Sequence, residues 1–375
     1  MSLGWVIVIA IIKVVAVMGL ILSLTPILIW FERKASAWMQ DRMGPNRANV
    51  YLPGVKVNIT LWGLIHAVAD VVKLFSKEDI TPANVNKVFY HVGPFITMTV
   101  ACMTFAVIPL ASPFLYGDPA SPSKFLIQIA DLNVGLLYIL AVGGMGIYGL
   151  MVAGWASNNK YSMLGTIRSG AQLISYEVAM GLAVMGPILV YGSMRLPEIV
   201  EGQGAILWGA GWGFLLQPFA CLMFITASFA ETNRIPFDLP EGDSELVAGF
   251  HLEYSSMKFA LFFMGEYTNI LVASAFMVCL FFGGYQVPFL PTDTLYFYIG
   301  KIGLPLWLTS LVVVGIQFNV FIVKLLFFGF MFIWVRWTLP RFRFDQLMTV
   351  GWKYMIPLTL ANVVVTGVVV FFMVR

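Results

Sequence analysis

The chain has 375 residues, 59% of them hydrophobic and only 11% charged, with a mean hydropathy of +0.86 and a net charge of +3. A soluble domain is about a quarter charged, so the composition excludes a soluble enzyme and requires an integral membrane protein, and the small net charge gives no reason to expect nucleic acid as a partner. Apolar runs of helix-spanning length recur, where a barrel would show short alternating segments, so the expected fold is all-α.

Eight spans are predicted in a single membrane domain over residues 1–375: Trp5–Trp30, Gly93–Leu110, Val134–Val152, Leu164–Val190, Gly213–Phe229, Met257–Phe282, Phe318–Val335 and Met355–Phe372. Each is near the ~20 residues that cross hydrocarbon. The N-terminal run is too long, and lacks the basic region, expected of a cleaved signal. The connection after the first span opens with Glu32, Arg33 and Lys34 and carries Gly-Pro-Asn turn chemistry at 44–46. In Lys56–Lys77, His66, Asp70, Lys73 and Lys77 recur at helical spacing among apolar residues, which predicts an amphipathic interfacial helix. Ile302–Ile316 is short, contains Pro305 and is expected as a separate interfacial or re-entrant helix rather than a crossing.

Charge sidedness orients this bundle. Sixteen of the 22 Lys and Arg residues fall in or beside the connections 31–92, 153–163, 230–256 and 336–354, against four (Lys124, Arg195, Lys301 and Arg375) on the other side. The positive-inside rule then places both termini outside. Two further lysines, Lys13 and Lys324, lie within spans.

Six of the 19 acids crowd into the 29 residues of Ala230–Lys258: Glu231, Asp238, Glu241, Asp243, Glu245 and Glu253. A plain solvated docking loop would explain them, and so would a polar funnel into the membrane. Glu177 and Glu266 lie inside spans and Glu231 ends one. A carboxylate at mid-bilayer costs ~2.5–3.5 kcal/mol, and such residues are kept mostly where they line a polar cavity or relay protons. The structural alternative is pairing with Lys13 or Lys324, or hydrogen bonding across helices. Glu266, Asn269 and Ala273 share one helical face.

Other signals are empty. Cys102, Cys221 and Cys279 are far apart, as are His66, His91 and His251, so no zinc, iron–sulfur or disulfide framework is expected. Gly144, Gly146 and Gly149 match GxGxxG but sit mid-span with no βαβ unit, so close helix packing is the expected use. No internal repeat of the transporter kind is visible.

Several ordered pieces carry a resemblance: Glu32-Arg33-Lys34, Arg42 to Arg47, Asp70 to Asp79, Gly154 to Ser162, Ser175-Tyr176-Glu177, Arg234 to Glu241, Glu253 to Lys258, Gly265-Glu266-Tyr267 and Arg341 to Gln346. Over about Trp30 to the C-terminus the chain resembles the quinone-chamber membrane subunit of proton-pumping NADH:quinone oxidoreductase, respiratory complex I. The resemblance implies an eight-span bundle with a long acidic cytoplasmic loop, in a bacterial inner membrane. It implies quinone as a substrate bound jointly with soluble subunits, other membrane-arm subunits and lipid as partners, and no flavin, iron–sulfur cluster or metal on this chain. Carried over, Glu32, Asp70, Glu177, Glu231 and Glu266 match the proton-relay acids. Arg33, Arg42, Arg47, Arg234, Glu241, Asp243 and Glu245 match residues at the quinone cavity. Some relatives place a further glutamate where this chain has Gly144, and the stretch Thr292–Gln317 has no assigned role. A homologous subunit of a membrane-bound hydrogenase-type complex, or a free-standing cation channel, is the alternative.

Overall fold

The computed structural model describes residues 3–52, 57–118, 121–205, 211–239, 242 and 246–374. Among them, seven helices are long and apolar enough to cross a membrane. In chain order the elements are α1 (Leu3–Met39), a hairpin of β1 (Val50–Leu52) and β2 (Val57–Ile59), α2 (Ile65–Ser76), α3 (Lys87–Thr104), a second hairpin of β3 (Phe114–Tyr116) and β4 (Ser123–Phe125), α4 (Gly135–Ala156), α5 (Lys160–Tyr191), α6 (Leu196–Ala205), α7 (Gly213–Leu216), α8 (Pro218–Glu231), α9 (Ser256–Phe281), α10 (Thr292–Gly300), α11 (Leu306–Thr338), α12 (Phe344–Thr349) and α13 (Ile356–Val374). One π-helical turn, Val350–Met355, joins α12 to α13. The protein is an all-α membrane bundle.

α5 is the hub: it packs against α4, α8 and α13, while α3 packs against α4 and α9. Small residues set these approaches, as expected where lipid removes the hydrophobic drive between helices. A Cβ at Gly93 would stand 2.8 Å from the Ala153 Cβ, and one at Gly149 would collide with the Thr97 hydroxyl. Of the GxGxxG glycines, Gly149 thus serves helix packing. The core beyond this seam is aromatic, with Phe224, Phe276, Phe281, Phe321 and Phe332 fully buried.

Four expectations change. α1 runs nine residues past Trp30, so Glu32, Arg33 and Lys34 lie on a helix rather than in the connection. The amphipathic segment is helical only over Ile65–Ser76, because Leu61, Trp62 and Gly63 take consecutive left-handed conformations that break the chain before it; Lys56 lies outside the described residues. Ile302–Ile316 is no separate helix. Pro305 caps α11, and one uninterrupted 33-residue helix carries the chain from Leu306 to Thr338, so Ile302–Ile316 adds no crossing of its own. The fifth span is broken: Gln217 leaves helical geometry (φ −133°, ψ 58°) and Pro218, lacking an N–H, starts a 14-residue helix too short to cross alone. The break is pinned to α13, where the Gln217 side chain donates to Thr366 Oγ1 (3.0 Å) and accepts from Asn362 (3.2 Å).

Within the stretch 292–317, α10 folds back on the N-terminal part of α11, to which residues 306–317 belong. Leu295 and Ile299 bury against Val313. The Gln317 carboxamide accepts from Ser112 N (3.0 Å) and donates to Thr292 Oγ1 (3.1 Å), and Leu115 N donates to Ser310 Oγ (2.7 Å), latching the β3–β4 hairpin onto the same helix.

Candidate functional site: a cavity with three carboxylates

A cavity of about 70 Å³ opens between α3, α4, α5, α8 and α9. A water needs roughly 10–15 Å³ on this measure, so several fit. Glu177 reaches it from α5, Glu231 from the last residue of α8, and Glu266 from α9; Thr97, Thr104, Asn233 and Asn269 add polar groups, and Leu173, Phe224, Phe262 and Phe276 supply apolar wall. The face shared by Glu266, Asn269 and Ala273 is the face that lines it. Two glycines of α4 make room for the acids. A Cβ at Gly144 would stand 2.5 Å from Glu177 Oε1, and one at Gly143 would stand 3.5 Å from Glu231 Oε1.

Glu32 and Asp70 stand outside this cavity, and Arg234 connects Glu32 to it. Arg336 pairs with Glu32 Oε1, and Arg234 Nη1 lies 3.5 Å from Glu32 Oε2. Arg234 Nη2 in turn lies 4.0 Å from Glu266 Oε2. The Tyr267 hydroxyl donates to Glu32 Oε2 at 2.7 Å, and the Arg234 guanidinium sits 4.4 Å from the centre of the Tyr267 ring. On the next residue of α1, Arg33 pairs with Asp70 of α2 at 2.5 Å, and Lys73 approaches the same carboxylate at 3.3 Å. Acid, base and acid therefore alternate from Glu32 through Arg234 to Glu266 at the cavity, and the Arg33–Asp70 pair is a separate contact between α1 and α2. Arg234 is 5% exposed, and its Nε and Nη2 find no hydrogen-bond acceptor among the described residues. It is held by charge and by the ring, and removing one partner from such a buried set is costly.

The remaining predicted positions divide. Arg42 hydrogen-bonds Gln40, and both Arg42 and Arg47 are exposed in the loop after α1. Glu241, Asp243 and Glu245 lie outside the described residues. Asp238, in the same loop, pairs with Arg341 at 2.9 Å. Burial pushes its carboxyl up to about 6, with Arg341 opposing the shift and Glu266 adding to it. Among the described residues, neither in-span lysine takes a carboxylate. Lys324 donates to the carbonyls of Phe282 (2.8 Å), Gly284 (2.9 Å) and Gln286 (2.7 Å) beyond the end of α9, and Lys13 donates to the Gln128 carbonyl (3.2 Å). Sequence reading missed Arg336 and Tyr267 as members of the cluster. Tyr267 directly follows Glu266, and Arg336 ends an apolar run, but only the fold shows both turning toward Glu32.

The family model described as NADH dehydrogenase matches residues 12–367. The chain belongs to that family. It is 41% identical to an NADH-quinone oxidoreductase subunit of Bdellovibrio bacteriovorus, over 96% of this chain and 95% of that one. It is 45% identical to the corresponding NADH-quinone oxidoreductase subunit of Salinibacter ruber, over 92% of each, and 46% identical to NADH-quinone oxidoreductase subunit 8 of Rhodothermus marinus, over 92% of this chain and 93% of that one.

Proposed function

We propose that the buried acids of this membrane subunit of an NADH:quinone oxidoreductase link quinone reduction to proton translocation. One observation carries the reading: three carboxylates from three helices line one cavity with room for water, and Arg234 joins that cavity by charge to Glu32. Carboxyl groups that share a polar cavity can exchange protons through water, and a change of charge on one shifts the others.

The quinone is taken to bind beside α1, α2 and α9, with its tail against lipid and its head near Arg33, Arg42, Arg47, Arg234 and the acidic residues Glu241, Asp243 and Glu245. Electrons come from a soluble partner subunit. Reduction of quinone to quinol takes up two electrons and two protons. The negative charge that develops is felt first by the Arg33–Asp70 and Arg234–Glu32 pairs. As Arg234 is drawn toward the new charge, its attraction for Glu266 weakens and that carboxyl takes up a proton, passing the demand to Glu231 and Glu177. The setting is a bacterial inner membrane, with both termini on the outer side, other membrane-arm subunits alongside and no nucleic acid.

The test is Glu177→Gln and Glu266→Gln, each in the assembled complex, measuring NADH:quinone reduction and proton pumping. Both rates should fall at least about tenfold. Wild-type values for both variants would remove the relay.

A further inference from the structure

The turn that places Glu231 and Arg234 is held from outside its own helix. α8 ends at Glu231; Asn233 is left-handed (φ 50°), and the chain doubles back through Pro236 to Phe237. A helix end leaves carbonyls without intrahelical partners. Here one side chain on α5 reaches across to one of them, the Ala230 carbonyl. Gln172 is fully buried, and the two hydrogens on its Nε2 serve the Ala230 carbonyl (2.7 Å) and the Phe237 carbonyl (2.9 Å), with Asn233 Oδ1 also within reach (3.2 Å).

The direction of the amide is fixed by these three acceptors and by nothing on its other side. Gln172 Oε1, like the Ser169 hydroxyl three residues earlier on that face, is buried with no hydrogen-bond partner among the described residues. The Ala230 carbonyl belongs to the peptide unit that leads into Glu231, so fixing that plane sets the direction in which the Glu231 side chain leaves the backbone. The bond to Phe237 closes the other end of the turn, and Arg234 lies between the two. Gln172 is also about one and a half turns from Glu177 on the same helix.

From this geometry we infer that Gln172 is a positioning residue: it holds Glu231 at the cavity and Arg234 between Glu32 and Glu266, and it ties both to the helix that carries Glu177. The inference rests on the reading of the cavity acids as a proton relay. Gln172 itself exchanges no proton. Any movement of the 230–237 turn during turnover must either carry α5 with it or break bonds from this one amide.

The test uses Gln172→Leu, which removes the donor, and Gln172→Glu, which keeps size and shape but presents oxygens to three acceptors. Each is made in the assembled complex, whose amount is read on native gels. The quinone-reduction kcat per assembled complex should fall about five- to tenfold in both, with KM for a short-chain quinone within about twofold of wild type. In the double variant Gln172→Leu/Glu231→Gln, the losses should not multiply, because one residue acts through the other. A residue that only supports the fold would lower the amount of complex, leave kcat per complex unchanged, and multiply with Glu231→Gln. Those results overturn the inference, as does failure of both Gln172 variants to assemble, which would make the position one of packing. Glu231→Gln alone separates the two levels. Wild-type turnover there sinks the relay reading itself, whereas a slow Glu231→Gln beside fast Gln172 variants sinks only this inference.

Discussion

Glu32 is approached from three sides, by Arg336, by Arg234 and by the Tyr267 hydroxyl. A hydrogen bond to a charged group contributes about 1.5–3 kcal/mol. Tyr267→Phe keeps the ring beneath Arg234 and removes only the donor, so it should slow quinone reduction by roughly tenfold or more, while leaving the assembled complex detectable on native gels; an unchanged rate would show that the two arginines suffice. Asp238 supplies a pH dependence. Its folded carboxyl titrates at about 6 against an ordinary 3.8, for burial outweighs Arg341. The folded state therefore holds this proton to higher pH than the unfolded chain. The associated stability is present below about pH 4 and is lost as the pH rises through about 6. Asp238→Asn, an uncharged isostere, should thus gain thermal stability relative to wild type as the pH is raised from 5 to 7.5. A constant difference across that range would contradict the assigned shift.

At the scale of elements, the glycines of α4 separate packing from function. A Cβ at Gly149 meets the Thr97 hydroxyl and stands 2.8 Å from the Thr97 backbone nitrogen, which cannot move without its helix. Gly149→Ala should therefore push α3 from α4 and reduce assembly. A Cβ at Gly144 meets only the end of the Glu177 side chain, so Gly144→Ala should assemble normally yet turn over slowly, with its carboxylate displaced; equal amounts of assembled complex with unequal kcat are the expected readout. Gly144 is also the position where the resemblance places a glutamate in some relatives. In this chain the Glu177 carboxylate occupies that space. Long apolar periodicities made the spans legible in the sequence, and the isolated acids within them marked the cavity. The break at Gln217 was not legible, because a Gln-Pro pair in an apolar run reads equally well as a kink. Nor was the continuity of α11 through Leu306–Ile316. There the sequence shows a proline, and only tertiary placement shows that it starts the helix rather than ending one. The arginines of the cluster were legible as charge but not as partners, since Arg336 and Glu32 are 304 residues apart.

Over the whole molecule, the distribution of bases makes a statement about orientation that can be measured directly. The three native cysteines all lie on membrane-crossing helices or on α8, so a single introduced thiol reports its own side. Ser121→Cys, in the hairpin connection, should react with a membrane-impermeant maleimide in intact cells, and Ser76→Cys, at the end of α2, should react only after the membrane is opened. The reverse pattern would invert the orientation argued from the sixteen-to-four charge asymmetry.

The interruption at Gln217 has a mechanical consequence. From Pro218 to Glu231 the main chain is one stiff rod of 14 residues, ~21 Å long, with one end held against Thr366 and the other, at the acid cavity, tied to α5 by Gln172. A tilt of about 5° at the Thr366 end sweeps the other through ~2 Å, on the scale that separates a formed hydrogen bond from a lost one. With this geometry, a small adjustment beside the last helix would reach the carboxyl at the far end only by stretching the Gln172 bonds that hold the turn to α5.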